Sequence, residues 1–464
     1  MNYEEFLASK AIADVPTGIE KPPALHPILF DFQRDITKWA LKRGRAGIFA
    51  NTGMGKTPMQ AEAARVIEAH TKKPVLIFAP LAVASQTIEE AHKLLKMHIL
   101  FAKNQEDIGG RGVYITNYAK REHFDPSQFG AVILDESAVL KGEDSRTREA
   151  FCTDWQCVPF RLCYTATPAP NDFMEIGNHA EFLGVMSKSE MLSTFFVHDG
   201  GETQKWRLKG HAEQDFWRWM ASWCVAVMSP RDLGYDGSAY DLPPMNIQVR
   251  VVPSPPADGQ LFAGTAGTLQ ERRGARRDSI DERVRVAAEL ANSNGEQWAV
   301  WCNLNDEGEA LAKAINGAVE VAGRHEDEYK EKHLLGFAHG EDRVLVSKSS
   351  IAGYGMNWQN CHNVIYFPDD SFERYYQALR RFWRFGQKSI VNVWLVLSES
   401  ESAILENLKR KEKEAAEMYA NLVKHMAEIS KAQIRNGGAR TKLEYNPRKE
   451  MKIPDWLTVN QTVV

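Results

Sequence analysis

The stretch AGIFANTGMGKTPMQAEAARVI, Ala46–Ile67, decides the fold. A short apolar run ends at Ala50 and gives way to Asn51-Thr52-Gly53-Met54-Gly55-Lys56-Thr57, then to an alanine-rich amphipathic segment. The pattern predicts a strand, a tight loop and a helix. Glycines 53 and 55 let the backbone bend so that its N–H groups face a phosphate. Lys56 is then placed to reach β- and γ-phosphates, and Thr57 to offer its hydroxyl to Mg²⁺. The start of the following helix adds partial positive charge. Ala50 stands where the full phosphate-loop pattern has glycine, but strand, loop and helix are all in place.

Working outward, short apolar runs alternate with amphipathic segments. PVLIFAP, GVYITNY, AVILDES and RLCYTATP read as buried strands, and IEEAHKLLKMH reads as a helix between the first two. This is the rhythm of a parallel sheet with crossover helices. AVILDES ends in Asp135-Glu136. Two carboxylates at the end of a buried strand fit a division of labour. Asp135 holds Mg²⁺ through water, and Glu136 polarises the water that attacks a γ-phosphate.

Alternation breaks after Asn171, where Trp206, Trp217, Trp219 and Trp223 stand among charged residues. A packed helical core accounts for them, with a strand-separating wedge or base-stacking surface as the alternative. The proline-rich segment from Asp241 marks a boundary. A second α/β series follows, then a long charged helix from about Glu399 that stops at Asn436-Gly437-Gly438. The expected class is therefore α/β: two lobes with parallel sheets, a helical insertion and a C-terminal helix. The expected divisions are residues 1–171, 172–245, 246–400 and 401–464.

A chain of 464 residues is too long for one compact core. Its net charge of -4 excludes bulk electrostatic attachment to nucleic acid, but not a local basic track such as Arg272, Arg273, Arg276 and Arg277. The six cysteines include no CxxC pair, and their apolar contexts favour buried reduced thiols over a zinc site. The N-terminal MNYEEFLASK is polar, and no apolar run approaches the roughly 20 residues of a membrane span. A reducing cytoplasm and no membrane partner are expected.

Near the other end, QALRRFWRFGQ, Gln377–Gln387, concentrates arginine and aromatic residues. Together with LFDFQRDITKWA, ANTGMGKT, VLIFAPLAVASQ, YITNYAKRE, LDES, YTATPAPND and VLVSKSSIAGYGMNWQNCHNVIYF, it resembles superfamily 2 helicases and translocases, in particular their Swi/Snf-like branch. The resemblance spans roughly residues 28–400, with the motifs in the family's order. It implies two RecA-like lobes with ATP between them. Gln33 is then the adenine reader, and Thr52, Gly53, Met54, Gly55, Lys56 and Thr57 form the phosphate cradle. Thr165 and Thr167 couple the lobes, and Gln377, Gly355 and Asn357 lie toward the nucleotide. Arg381 and Arg384 match the arginine fingers. Pro80, Thr116, Ser347 and Gly353 match positions that contact a nucleic-acid backbone. Phe382, Trp383 and Phe385 read as packing, and Arg374 and Arg380 as solvated or structural.

The resemblance implies an ATP-dependent, Mg²⁺-requiring motor on DNA. A compact member of this kind is similar to phage and prophage helicases of DEAD/DEAH-like type, with replication or recombination proteins of phage or host as partners. One departure stands out: LDES continues to Ala138, where relatives carry a histidine that helps couple ATP to nucleic acid. Two other readings remain open at this level. One is a double-stranded DNA translocase that does not separate strands, and the other a nucleotide-gated scaffold with weak hydrolysis.

Overall fold

The computed structural model describes residues 17–141, 146–169, 173–198, 206–253, 274, 276–352 and 356–435. Gly353, Gly355, Arg272, Arg273 and the expected stop at Asn436-Gly437-Gly438 lie outside the described residues.

The first lobe carries β1 Arg45–Ala50, β2 Val75–Ala79, β3 Ile99–Phe101, β4 Val113–Asn117, β5 Ala131–Asp135, β6 Phe160–Thr165 and β9 Cys224–Val227. They form one sheet in the order β3-β4-β2-β5-β6-β1-β9, with every neighbouring pair parallel. Strands β2 and β5 are buried at all positions, as strands covered on both faces must be. Alternate residues serve opposite faces. Ile48, Ile77 and Ile133 pack with the helices Asp31–Arg43 and Lys56–Thr71, whereas Phe49, Phe78 and Val132 pack on the other side. A small antiparallel pair, β7 Phe196–His198 and β8 Trp206–Leu208, lies apart from this sheet.

The tryptophan-rich segment, expected as a helical insertion, contributes a strand to this lobe's sheet. Strand β9 pairs with β1 along Gly47–Ala50, and Trp217, Trp219 and Trp223 are buried in the core beneath Phe49. Burying a large apolar side chain is worth roughly 1.5–3 kcal/mol, so these rings fasten the segment to the lobe. They are not available as a wedge. Trp206 is half-buried against His198.

The second lobe has β10 Met245–Val252, β11 Trp298–Cys302, β12 Ala318–Val321, β13 Val344–Lys348, β14 Asn363–Tyr366 and β15 Val391–Ser398. Their order is β10-β15-β14-β11-β13-β12, again with all pairs parallel. Two parallel sheets, flanking helices and a long terminal helix are the α/β architecture expected. Arg276, considered for a nucleic-acid track, is instead buried and paired with Glu401 at 2.8 Å. Arg277 is exposed. Of the cysteines, Cys163, Cys224, Cys302 and Cys361 are buried and Cys157 is exposed; all six are free.

The terminal helix, Ser402–Arg435, has 34 residues and is about 50 Å long. Ile404 and Leu408 pack in the second lobe's core. Leu422, Val423 and Met426 pack with the tryptophans of the first, and Ile434 reaches its other face. The helix therefore spans both lobes rather than extending a single one. Among the described residues no helix is long and apolar enough to cross a membrane.

Candidate active site at the interlobe cleft

Strand β1 lies inside the sheet, so its carboxyl end opens beside the ends of β6 and β9. Crevices at strand carboxyl ends are where open α/β sheets bind ligands. The loop that leaves β1 bends through Gly53 (φ +84°) and Gly55 (φ +78°), both left-handed, before the helix Lys56–Thr71 begins. A Cβ on Gly55 would meet the Gln33 amide at 2.2 Å, so a side chain there would displace Gln33 in addition to straining the left-handed backbone. Gln33 accepts from the Phe30 amide at 3.0 Å and donates to the Met54 carbonyl at 2.9 Å. The expected adenine reader is thus tied directly to the loop. Thr52 N–H donates to Asn51 Oδ1 at 2.8 Å, and Thr57 is the second residue of the helix.

Lys56 Nζ donates to the Ala50 carbonyl at 3.0 Å. Burial lowers its pKa, Glu136 and Asp135 raise it, and Arg384 and Arg381 lower it. These five charges therefore share one environment. Burial, with Glu136 beside it, raises the Asp135 carboxyl to about 7, opposed by Lys56. Glu136 has φ +54°, a left-handed backbone on a residue with a full side chain. Such a conformation costs on the order of 1 kcal/mol and persists where surrounding structure enforces it. The Thr165 hydroxyl lies 3.4 Å from Glu136 Oε2 and also accepts the Thr167 amide at 3.1 Å. The two threonines expected to couple the lobes are thus joined to the second carboxylate.

The opposite wall comes from the second lobe. A Cβ on Gly53 would lie 2.8 Å from the Phe385 amide nitrogen, so the segment Arg384–Phe385 packs on the phosphate loop. Phe385 also meets Phe30 and Tyr240 of the first lobe. Arg384 is deprived of solvent, which lowers its pKa, while Glu90 and Glu136 raise it. Its Nη1 lies 3.4 Å from the Met356 carbonyl, and its buried Nε has no hydrogen-bond partner. Arg381 differs: it is 2% exposed and donates to Met356 O at 3.3 Å and to Gln377 Oε1 at 3.1 Å. Arg381 and Gln377 thus support each other inside the second lobe. Asn357 donates to Glu90 of the first lobe, and Lys141 pairs with Glu373, so both contacts bridge the cleft. Phe382 is fully buried with Trp301 and Trp358, while Arg380 lies over the rings of Tyr376 and Trp383.

Of the four positions expected to touch nucleic acid, three are among the described residues. Pro80 caps the helix Leu81–Leu95 and is half-buried. Thr116 is wholly buried on β4, and Ser347 is buried with its hydroxyl donated to the Val321 carbonyl at 2.7 Å. Neither side chain faces solvent, so in this arrangement neither offers a hydroxyl to a nucleic-acid strand. The Ser347 hydroxyl is already committed to its own sheet, and burial alone withdraws that of Thr116.

His179 has no counterpart in the expected site. It comes from the helix Ile176–Leu183, is wholly buried, and hydrogen-bonds Ser137 Oγ at 3.1 Å through Nε2. A histidine is thus delivered from elsewhere to the motif whose fourth position is alanine. Burial lowers its pKa to about 4. The unfolded chain titrates near 6.5, so between those values it binds a proton that the folded chain refuses. Stability therefore falls as pH drops through this window, by about 2 kcal/mol between pH 7 and pH 5. Urea midpoints at the two pH values should show that loss for the wild type, and a smaller one for His179→Gln. An equal loss in both would remove His179 as the cause.

No protein-family model matches this sequence, and no curated protein matches it. Among solved structures the chain is similar to the Sulfolobus solfataricus SWI2/SNF2 ATPase core in complex with dsDNA, at 17% identity and a TM-score of 0.42, over 89% of this chain and 96% of that one.

Proposed function

We propose that this chain is an ATP-driven motor on DNA, a translocase of the helicase type that converts nucleotide turnover between its lobes into movement along the duplex. The observation that carries the reading is the meeting of Lys56, Asp135 and Glu136 from one lobe with Arg384 and Arg381 from the other, around a glycine-bent phosphate loop. The order of motifs from Gln33 to Gln387 supports it. The donors fit a magnesium nucleotide: a hydroxyl, Thr57, and a carboxylate, Asp135, are hard oxygen ligands that leave room for water and phosphate. When bound there, Mg²⁺ would neutralise charge on the β- and γ-phosphates. Glu136 then orients the attacking water and accepts its proton, and Arg384 meets negative charge on the transferring phosphoryl group.

Phe385 packs on Gly53, and on this reading the lobes part to admit nucleotide and close on it. Opening and closing through a cycle would ratchet two backbone-gripping lobes along DNA. Movement on duplex without strand separation is favoured over unwinding by the burial of Trp217, Trp219 and Trp223, which supply no wedge. A role in phage replication or recombination, with the proteins of those processes as partners, belongs to this same reading.

The test is steady-state ATP hydrolysis without nucleic acid and with single-stranded, duplex, forked and four-way DNA, beside a strand-displacement assay. Duplex is expected to stimulate hydrolysis without displacement of a strand. A rate indifferent to every DNA would overturn the motor reading and leave a nucleotide-gated binding protein.

A further inference from the structure

The phosphate loop is held from behind by groups that the hydrolytic reading does not use. Tyr419, on the terminal helix, is half-buried and donates its hydroxyl to the Phe49 carbonyl at 2.7 Å. The same oxygen lies 3.4 Å from the Val227 carbonyl. Val227 O also accepts the Asn51 amide at 2.9 Å, so the phenol and the first loop residue share one acceptor. A second tyrosine reaches the same junction from the second lobe. Tyr376, on the helix Phe372–Leu379, donates to Asn51 Oδ1 at 3.1 Å, the oxygen that also receives the Thr52 amide. Beside both rings is a cavity of about 160 Å³, lined also by Asn51, Thr167, Met228 and Phe372. The two tyrosine hydroxyls thus add polar ties to the loop and to the end of β1.

Resting on the nucleotide-binding reading above, we propose that Tyr419, on the helix that joins the lobes, and Tyr376, on the second lobe, are positioning residues that fix the phosphate loop, making nucleotide affinity depend on where the second lobe stands. The terminal helix packs in the second lobe's core through Ile404 and Leu408 and on the first lobe's core at Tyr419 itself, so Tyr419 joins the end of β1 to a helix that both lobes hold. Tyr376 adds a tie that breaks when the cleft opens. Phe49 precedes Ala50 in β1 and Val227 pairs with Ala50 across the sheet, and the Ala50 carbonyl itself accepts from Lys56. A small shift in β1's end is therefore felt at the lysine that would meet phosphate. Burial raises the Tyr419 phenol's pKa well above its ordinary value, so the hydroxyl stays a donor across the working pH range.

The experiment uses the full chain as wild type, Tyr419→Phe and Tyr376→Phe. Each substitution removes a hydroxyl and keeps the ring. Binding of a fluorescent ATP analogue with Mg²⁺ and steady-state ATP hydrolysis are measured together with thermal melting. Loss of one buried hydrogen bond predicts a rise in both Kd and KM of about five- to ten-fold, larger than any accompanying fall in kcat. A lowered melting temperature with Kd and KM within about two-fold of wild type would reduce both tyrosines to structural packing and overturn the proposal. If Tyr419→Phe does not fold, the half-buried Tyr376→Phe decides alone, by the same Kd and KM. A wild-type chain that binds no nucleotide would overturn the nucleotide reading, and this inference with it. Variants that match a binding-competent wild type would overturn this inference only.

Discussion

Glu136→Gln is expected to lower kcat for ATP hydrolysis by at least about 100-fold, the scale of a lost general base, while the affinity for magnesium nucleotide stays within about three-fold. Glutamine keeps the length and shape of the side chain, and its amide oxygen still accepts from Thr165, which lies 3.4 Å from the present carboxylate. The backbone at φ +54° is unchanged by an isosteric replacement. Lys56, Thr57 and the glycine bends, which would hold the phosphates, are untouched. The one property removed is the ability to take a proton. Single-turnover hydrolysis beside fluorescent-nucleotide binding separates the two effects. Turnover within ten-fold of wild type would take Glu136 out of the reaction. Loss of binding along with turnover would mean that the strained turn, rather than the proton acceptor, was disturbed. The same variant decides whether stimulation by DNA runs through hydrolysis, because stimulation must vanish with it.

The sequence made the first lobe's site legible because its signals are local. Two glycines, a lysine and a threonine within seven residues cannot be placed far apart by any fold, and Asp135-Glu136 sits at a strand end that the preceding apolar run already defines. Signals that need the third dimension were not legible. Cys224–Val227 is a four-residue apolar run after a helix, with nothing local to show that it pairs with β1. His179 and Ser137 are 42 residues apart, and only the packing of the helix Ile176–Leu183 on the sheet brings them together. Thr116 and Ser347 show a different limit. A motif places a residue near the end of a strand, but only the helices packed over both faces of the sheet decide whether it is covered, and both are. Tyr419 illustrates the same point for a long helix. Its charged pattern predicts the helix but not which residue meets Phe49.

The same distinction between local signal and tertiary placement separates the two arginines of QALRRFWRFGQ, which the motif treats as a pair. Arg384→Ala is expected to lower kcat by about a thousand-fold, with nucleotide affinity changed only a few-fold. Arg384 has a buried Nε without a partner and a weak 3.4 Å contact to Met356 O, and it is the arginine whose charge acts more strongly on Lys56. A buried donor left unused costs roughly 1–3 kcal/mol unless a ligand completes it, and on the proposed reading that ligand is a γ-phosphate held at Lys56. Lysine at this position should recover little, since an ammonium cannot reproduce the paired, planar donor geometry. Arg381 is already committed to Met356 O and Gln377 within its own lobe. Arg381→Lys should therefore reduce the melting temperature along with activity, whereas Arg384→Lys should leave melting close to wild type and remove turnover. Measuring kcat, nucleotide Kd and melting for both lysine variants tests the division. If the two lose activity and stability in parallel, both arginines hold the lobe together, and charge on the transferring phosphoryl group must be met by Lys56 and Mg²⁺ instead.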